Sequence, residues 1–235
     1  ALFRVVRFRT SRGEGWRSLK DYVADLKPNQ TEIYYLAGDD LARLETSPLL
    51  EGFRARGVEV LLLPDPIDSF WVTRAIGYDG KPFRSVSQGE VDLSAIPLLE
   101  EDKAEDAAPK AKVATLAALM KQTLGEAVAD VRASARLATS AACLVADAHG
   151  LDKRLEKLLS AQGGPGRMRA PVLEINPRHP LVKGLADKAA GGAGVEIEDA
   201  IWLVFDLARV LDGEAPREPR RFAERVEMLL ASGLA

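Results

Sequence analysis

The chain has 235 residues, 47% of them hydrophobic, with 32 basic against 35 acidic side chains and a formal charge of −3. That length suits one large or two ordinary domains, and the charge balance argues against nucleic acid or an anionic membrane as the main partner. The single cysteine, Cys143, excludes an intrachain disulfide framework and suits a reducing compartment, while no apolar run approaches the roughly 18–20 residues of a membrane helix.

The start, ALFRVVRFRTSRG, is no signal peptide, because arginines interrupt every apolar run. Lacking an initiator methionine, it reads as a fragment or processed chain. Ser18 followed by Asp21 is a capping-box pattern that opens a short helix through Leu26, stopped by Pro28. Ile33 to Ala37 (IYYLA) has the β-branched and aromatic composition of a buried strand. Asp39 or Asp40 caps the next segment, and Ser47-Pro48 opens a helix that ends at Gly57. Val58 to Leu63 (VEVLLL) reads as a second buried strand, so the block is a parallel βαβ unit with a right-handed crossover. A helix from Asp68 to about Ile76 comes next, then a turn at Asp79-Gly80.

From Glu100 to Lys112 the sequence EEDKAEDAAPKAK is charged and alanine-rich, a solvated helix or loop between domains. The division is therefore an α/β domain over 1–97, a linker over 98–112 and an α+β domain of mixed sheet and helices over 113–235. The second domain opens with a helix from Val113 to Leu124, closed by Gly125. Two β-like stretches lie within Val128 to Val145, the first alternating at Val131, Ala133 and Ala135. Leu151, Leu155, Leu158 and Leu159 then fall at i, i+4, i+7 and i+8, one apolar stripe on a helix that runs into Gly163-Gly164-Pro165-Gly166. After a strand at Val172 to Ile175, a turn at Asn176-Pro177, a helix from Pro180 and a loop at Gly191 to Gly194, two helices finish the chain. The first, Ile197 to Asp212, carries two stripes: Ile197, Ala200, Ile201, Val204, Ala208 and Leu211 on one face, and Leu203, Leu207 and Val210 on another. A surface helix needs one stripe, so this one is buried on two sides. Phe222, Val226, Leu229 and Leu230 repeat the pattern on the last helix, Pro219 to about Ala231.

Asp39, Asp40, Asp65 and Asp68 lie just after the two parallel strands, at the carboxyl ends where α/β sites form. Clustered carboxylates there would hold magnesium for phosphoryl transfer; their bland role is helix capping. His149 and His179 have no catalytic partner pattern, one cysteine and two scattered histidines make no zinc site, and no phosphate-binding or nucleophile-elbow motif occurs.

Four segments in order, SLKDYVADLKPNQTEIYYLAGDD, SPLLEGFRARGVEVLLLPDPIDSFW, YDGKPFRSVS and VLEINPRHPLVKGL, resemble the heat shock protein 90 chaperone family, most closely its bacterial high-temperature protein G branch. The resemblance implies the last part of the middle domain followed by the C-terminal dimerisation domain. The ATPase domain, and the middle-domain arginine that reaches the γ-phosphate, would lie upstream of Ala1. It implies no catalytic residue, metal or cofactor in this segment, with ATP and magnesium belonging to the full-length parent. The implied client-contacting residues are Leu151, Leu155, Leu158 and Leu159, joined by Phe70 or Trp71 from the other domain. The leucine helix is expected to pack against no fixed partner of its own protomer, although closing a domain core is the commoner fate of such a stripe. With the stripes of the last two helices, the resemblance gives as the expected dimer interface an isologous four-helix bundle using Ile201, Val204, Phe205, Ala208, Leu211, Phe222, Val226, Leu229 and Leu230. The alternative is that all of these pack inside one protomer. Expected partners are a second copy, client polypeptides and other chaperones, without nucleic acid or membrane. The end at SGLA lacks the acidic tail that docks tetratricopeptide co-chaperones, which points to a bacterial cytoplasmic protein. The competing function is a magnesium-dependent phosphoryl-transfer domain built on the four aspartates.

Overall fold

Two of the apolar runs pair as expected: Tyr35 lies opposite Leu61 and Ala37 opposite Leu63 in a parallel ladder. The structure is a computed structural model that describes residues 2–99, 107–148, 153–161, 169–191 and 195–234. Its strands are β1 (Phe8–Thr10), β2 (Gly13–Arg17), β3 (Ile33–Ala37), β4 (Leu61–Leu63), β5 (Phe83–Ser85), β6 (Asp130–Ala133), β7 (Ala142–Val145) and β8 (Val172–Ile175). Its helices are α1 (Leu19–Ala24), α2 (Leu41–Glu45), α3 (Glu51–Arg54), α4 (Asp68–Val72), α5 (Lys110–Leu124), α6 (Lys153–Ala161), α7 (Pro180–Ala190), α8 (Val195–Leu211) and α9 (Pro219–Leu234). The chain forms two compact units, Ala1–Lys103 with Val145–Arg169, and Ala104–Leu144 with Ala170–Ala235. Val145–Arg169, placed in the second domain by the linear reading, thus belongs with the first unit.

The first unit holds a five-stranded mixed sheet in the order β2-β1-β4-β3-β5. β3 runs parallel to both β4 and β5, and β1 is antiparallel to its two neighbours. Every side chain of β3 is buried, as its composition demands. One face of the sheet packs Phe8, Leu19, Tyr22, Ile33, Tyr35, Leu61, Leu63 and Val72 together. The Tyr22 hydroxyl ties α1 to the strands, donating to Glu59 O at 2.6 Å and accepting from Tyr34 N at 3.0 Å. The capping box at Ser18 and Asp21 forms as predicted.

Other elements differ from expectation for local reasons. Ser47 caps its helix, yet the segment divides into a 3-10 turn at Pro48–Leu50 and the short α3. Val58 to Val60 is buried but outside the ladder, with Val60 N donating to Ser11 Oγ at 3.0 Å. α4 ends at Val72, short of Ile76. At Gly77, φ is 152° and an added Cβ would stand 2.2 Å from Lys81 O, so only glycine fits where the chain turns back. Tyr78 and Lys81 exchange backbone hydrogen bonds of 2.9 Å around Asp79 and Gly80, both left-handed, in a primed hairpin turn that delivers β5.

The second unit has a three-stranded sheet in the order β6-β8-β7, with β6 parallel to β8. α5, α7 and α8 cover it, burying Leu116, Met120, Leu173, Ile175, Val182, Ile201 and Phe205 in one core. A charged network sits within this apolar setting. Glu174 accepts from Arg136 Nε at 2.9 Å, Arg132 Nη2 at 2.8 Å and Ser134 Oγ at 2.8 Å, and Arg136 is fully buried. On β6, which ends the sheet on one side, the Val131 N–H donates to Asp130 Oδ1 at 2.8 Å. α5 starts at Lys110, ahead of the expected Val113; Glu100 to Asp106 of the expected linker lies outside the described residues.

Candidate binding surfaces

The four strand-end aspartates each serve a separate role. Asp40 caps α2, accepting from Ala42 N at 3.0 Å. Asp65 accepts from Ile67 N at 3.0 Å, and Asp68 from the indole N–H of Trp71 at 2.6 Å. Asp39 makes an ion pair with Arg154 of α6. Burial raises Asp68 above its ordinary value, against the lowering effect of the Trp71 hydrogen bond. Among the described residues no group of three or more His, Cys, Asp or Glu side chains is placed to hold a metal ion. Nothing here supports the phosphoryl-transfer alternative. His179 caps α7, its Nδ1 accepting from Leu181 N at 3.1 Å, and Cys143 is buried; His149 lies outside the described residues.

The apolar features of the first unit are more informative. α4 and α6 pack together. Of the adjacent aromatics, Phe70 is the exposed one, with Ile67 exposed beside it. Trp71 instead enters an aromatic cluster, its ring 5.6 Å from Phe3, 5.8 Å from Phe8 and 5.6 Å from Phe83. That corrects its candidacy as an open contact. On α6 the stripe divides. Leu155 is only 7% exposed, Leu158 is half-buried and Leu159 is 37% exposed; Leu151 lies outside the described residues. The expectation of a helix with no fixed partner in its own chain therefore fails at Leu155. Phe70 and Leu159 belong to one unit, not to two domains.

The second unit shows a similar division. Ile201, Val204, Phe205 and Ala208, expected at a dimer interface, are buried in the unit's own core, because that stripe of α8 faces α5 and the sheet. Leu211, Leu229 and Leu230 are open, at 52%, 57% and 61% exposure, while Phe222 and Val226 are half-buried. Leu207, Val210 and Met228 are exposed as well. Leu207 and Val210 come from the second stripe; pattern reading misses Met228, since it falls outside the i, i+4 repeat of α9. Polar contacts fix the two helices to each other. Arg225 Nε donates to Asp199 Oδ1 at 2.7 Å, Asp206 Oδ1 accepts from Arg217 N at 2.8 Å, and Trp202 lies under both arginines. Leu207, Val210, Leu211, Met228, Leu229 and Leu230 thus remain as outward apolar side chains.

The family model described as Hsp90 protein matches residues 1–235. The chain belongs to the Hsp90 family. It is 57% identical over 235 residues to Chaperone protein HtpG of Azorhizobium caulinodans, covering 100% of this chain and 37% of that protein. It is also 52% identical over 239 residues to the protein of that name from Mesorhizobium japonicum, and 50% over 234 residues to that of Nitrobacter hamburgensis. The chain spans 37% of the length of the first two relatives. Among the described residues of this Hsp90-family chain, no helix is long and apolar enough to cross a membrane.

Proposed function

We propose that this chain is the client-holding and self-associating part of a longer ATP-dependent chaperone. The observation that carries the reading is the pair of outward apolar sets, on α4 and α6 of the first unit and on α8 and α9 of the second. Exposed apolar area of this kind suits a protein that binds the apolar segments of unfolded chains. The name Chaperone protein HtpG, borne by relatives that match the whole of this chain, supports it. On this reading Phe70 and Leu159 contact client, Leu211, Leu229 and Leu230 contact a second copy, and nucleotide and magnesium belong to the parent protein. The cytoplasm is its compartment, and its partners are clients and other chaperones.

Suppression of the thermal aggregation of an unfolded client tests the client half. Phe70→Ser with Leu159→Ser removes two partly exposed apolar anchors. Suppression is expected to weaken on the order of tenfold, as loss of interface anchors of more than about 1 kcal/mol each implies. Undiminished suppression by a folded double variant would refute this assignment of the surface.

A further inference from the structure

The sequence offers Asp39 as a cap or a metal ligand, and the structure gives it neither role. Asp40 caps α2, and Asp39 meets Arg154 near the start of α6. The Arg154 side chain is only 10% exposed against 47% for Asp39. A guanidinium drawn that far from water requires an anion beside it. Burial also lowers the Arg154 pKa.

The function of the pair depends on the helix it holds. α6 has 9 described residues, KRLEKLLSA, shorter than the roughly 12–15 that make an isolated helix even marginal in water. Its shape and place therefore depend on the surface it docks against. Next to Arg154 in sequence is Leu155, the buried member of the stripe, while Leu159, one turn on, stays open. Glu156 Oε1 also accepts from Arg169 N at 2.8 Å.

We propose that Asp39 and Arg154 are positioning residues: their ion pair seats α6 against α4, so that Leu159 and Phe70 present one client surface. The inference rests on the client-binding reading above for its functional half, and on geometry alone for its structural half. A charged latch suits this role better than a further leucine would. Its strength depends on ionic surroundings, and it specifies one seating of the helix where an apolar contact tolerates several.

The test uses the full chain, with reduced, carboxymethylated α-lactalbumin as a permanently unfolded probe. Amide hydrogen exchange over residues 155–161 and probe affinity are measured for Asp39→Asn, Arg154→Met and the charge-swapped double variant Asp39→Arg with Arg154→Asp. Each single variant is expected to speed exchange in α6 about tenfold and to weaken probe binding about tenfold, a normal coupling for one polar network. Amides of β3 and β4 should exchange as before, and the swapped pair should restore both readings. A general structural weakening would speed exchange in the strands too and would not be rescued by the swap; that result overturns the latch. Unchanged α6 exchange in both single variants overturns it as well, even if Leu159→Ser abolishes probe binding. Faster α6 exchange with unchanged probe affinity upholds the latch and overturns the assignment of α6 as client surface.

Discussion

Glu174 lies inside the apolar run VLEI, yet it is among the most buried residues of the second unit. Nothing in the local sequence marks it out, because its partner Arg136 stands 38 residues earlier, in a stretch of small residues. Replacing Glu174 with alanine takes the carboxylate from a buried guanidinium. It should destabilise the unit by about 3–5 kcal/mol, the usual effect of breaking a buried pair from one side. Urea unfolding measures it, and a loss below about 1 kcal/mol would place the network in the range of surface pairs. Asp21 and Asp25 show the opposite, solvent-facing case. Hydrogen bonds from Ser18 hold Asp21 below the ordinary carboxylate range, and those from Arg17 and then Arg12 do the same for Asp25. A carboxylate lowered by folding contributes stability that is complete above its unfolded value, about pH 3.9, and is lost as pH falls through the folded value. The melting temperature should therefore fall as pH drops below about 4, and less steeply in Asp25→Asn. An equal slope in that variant would remove Asp25 from the account. Asp68, raised by burial, acts with the other sign, its contribution shrinking as pH rises.

At the scale of elements, α6 shows where pattern reading succeeds and where it stops. The i, i+4, i+7 spacing identifies the helix and its apolar face, since that spacing is a property of the backbone. Which leucine of the face is covered depends on residues far away in sequence. α4 and Asp39 stand well upstream, beyond the charged linker, and no local signal points to them. The same holds for α8, whose two stripes are legible in the sequence while the one expected at the interface fills the core. The wider stripe fills the unit's own core apart from Leu211; of the narrower one, Leu203 is buried while Leu207 and Val210 look outward. The β1–β2 hairpin is illegible for another reason: arginines and glycines fill its exposed face and hide the short alternation of Phe8 and Thr10. The division on α6 gives a sharp expectation. Leu155→Ala should cost about 2–5 kcal/mol as a buried truncation, whereas Leu159→Ser should stay within about 0.5 kcal/mol. Chemical denaturation of each single variant decides it. A silent Leu155→Ala would mean that α6 is undocked in solution.

For the whole molecule, the outward apolar set of α8 and α9 gives a prediction about mass. Sedimentation equilibrium at micromolar concentration should report a dimer. Leu211→Asp with Leu229→Asp, both over half exposed, should give a folded monomer. A monomeric wild-type chain would reject the self-association, and a dimeric double variant would move the interface elsewhere. On the proposed client-binding function, an extended client segment would also meet any open sheet border, whose unpaired backbone groups can template a further strand. β6 ends its sheet on one side. There the Asp130 carboxylate accepts from the Val131 N–H, which takes up that donor and adds a negative charge to the strand. The molecule thereby separates two kinds of stickiness. On that proposed function, reversible side-chain adhesion would be left available, while backbone zippering, the route to fibres, would be opposed at that one amide.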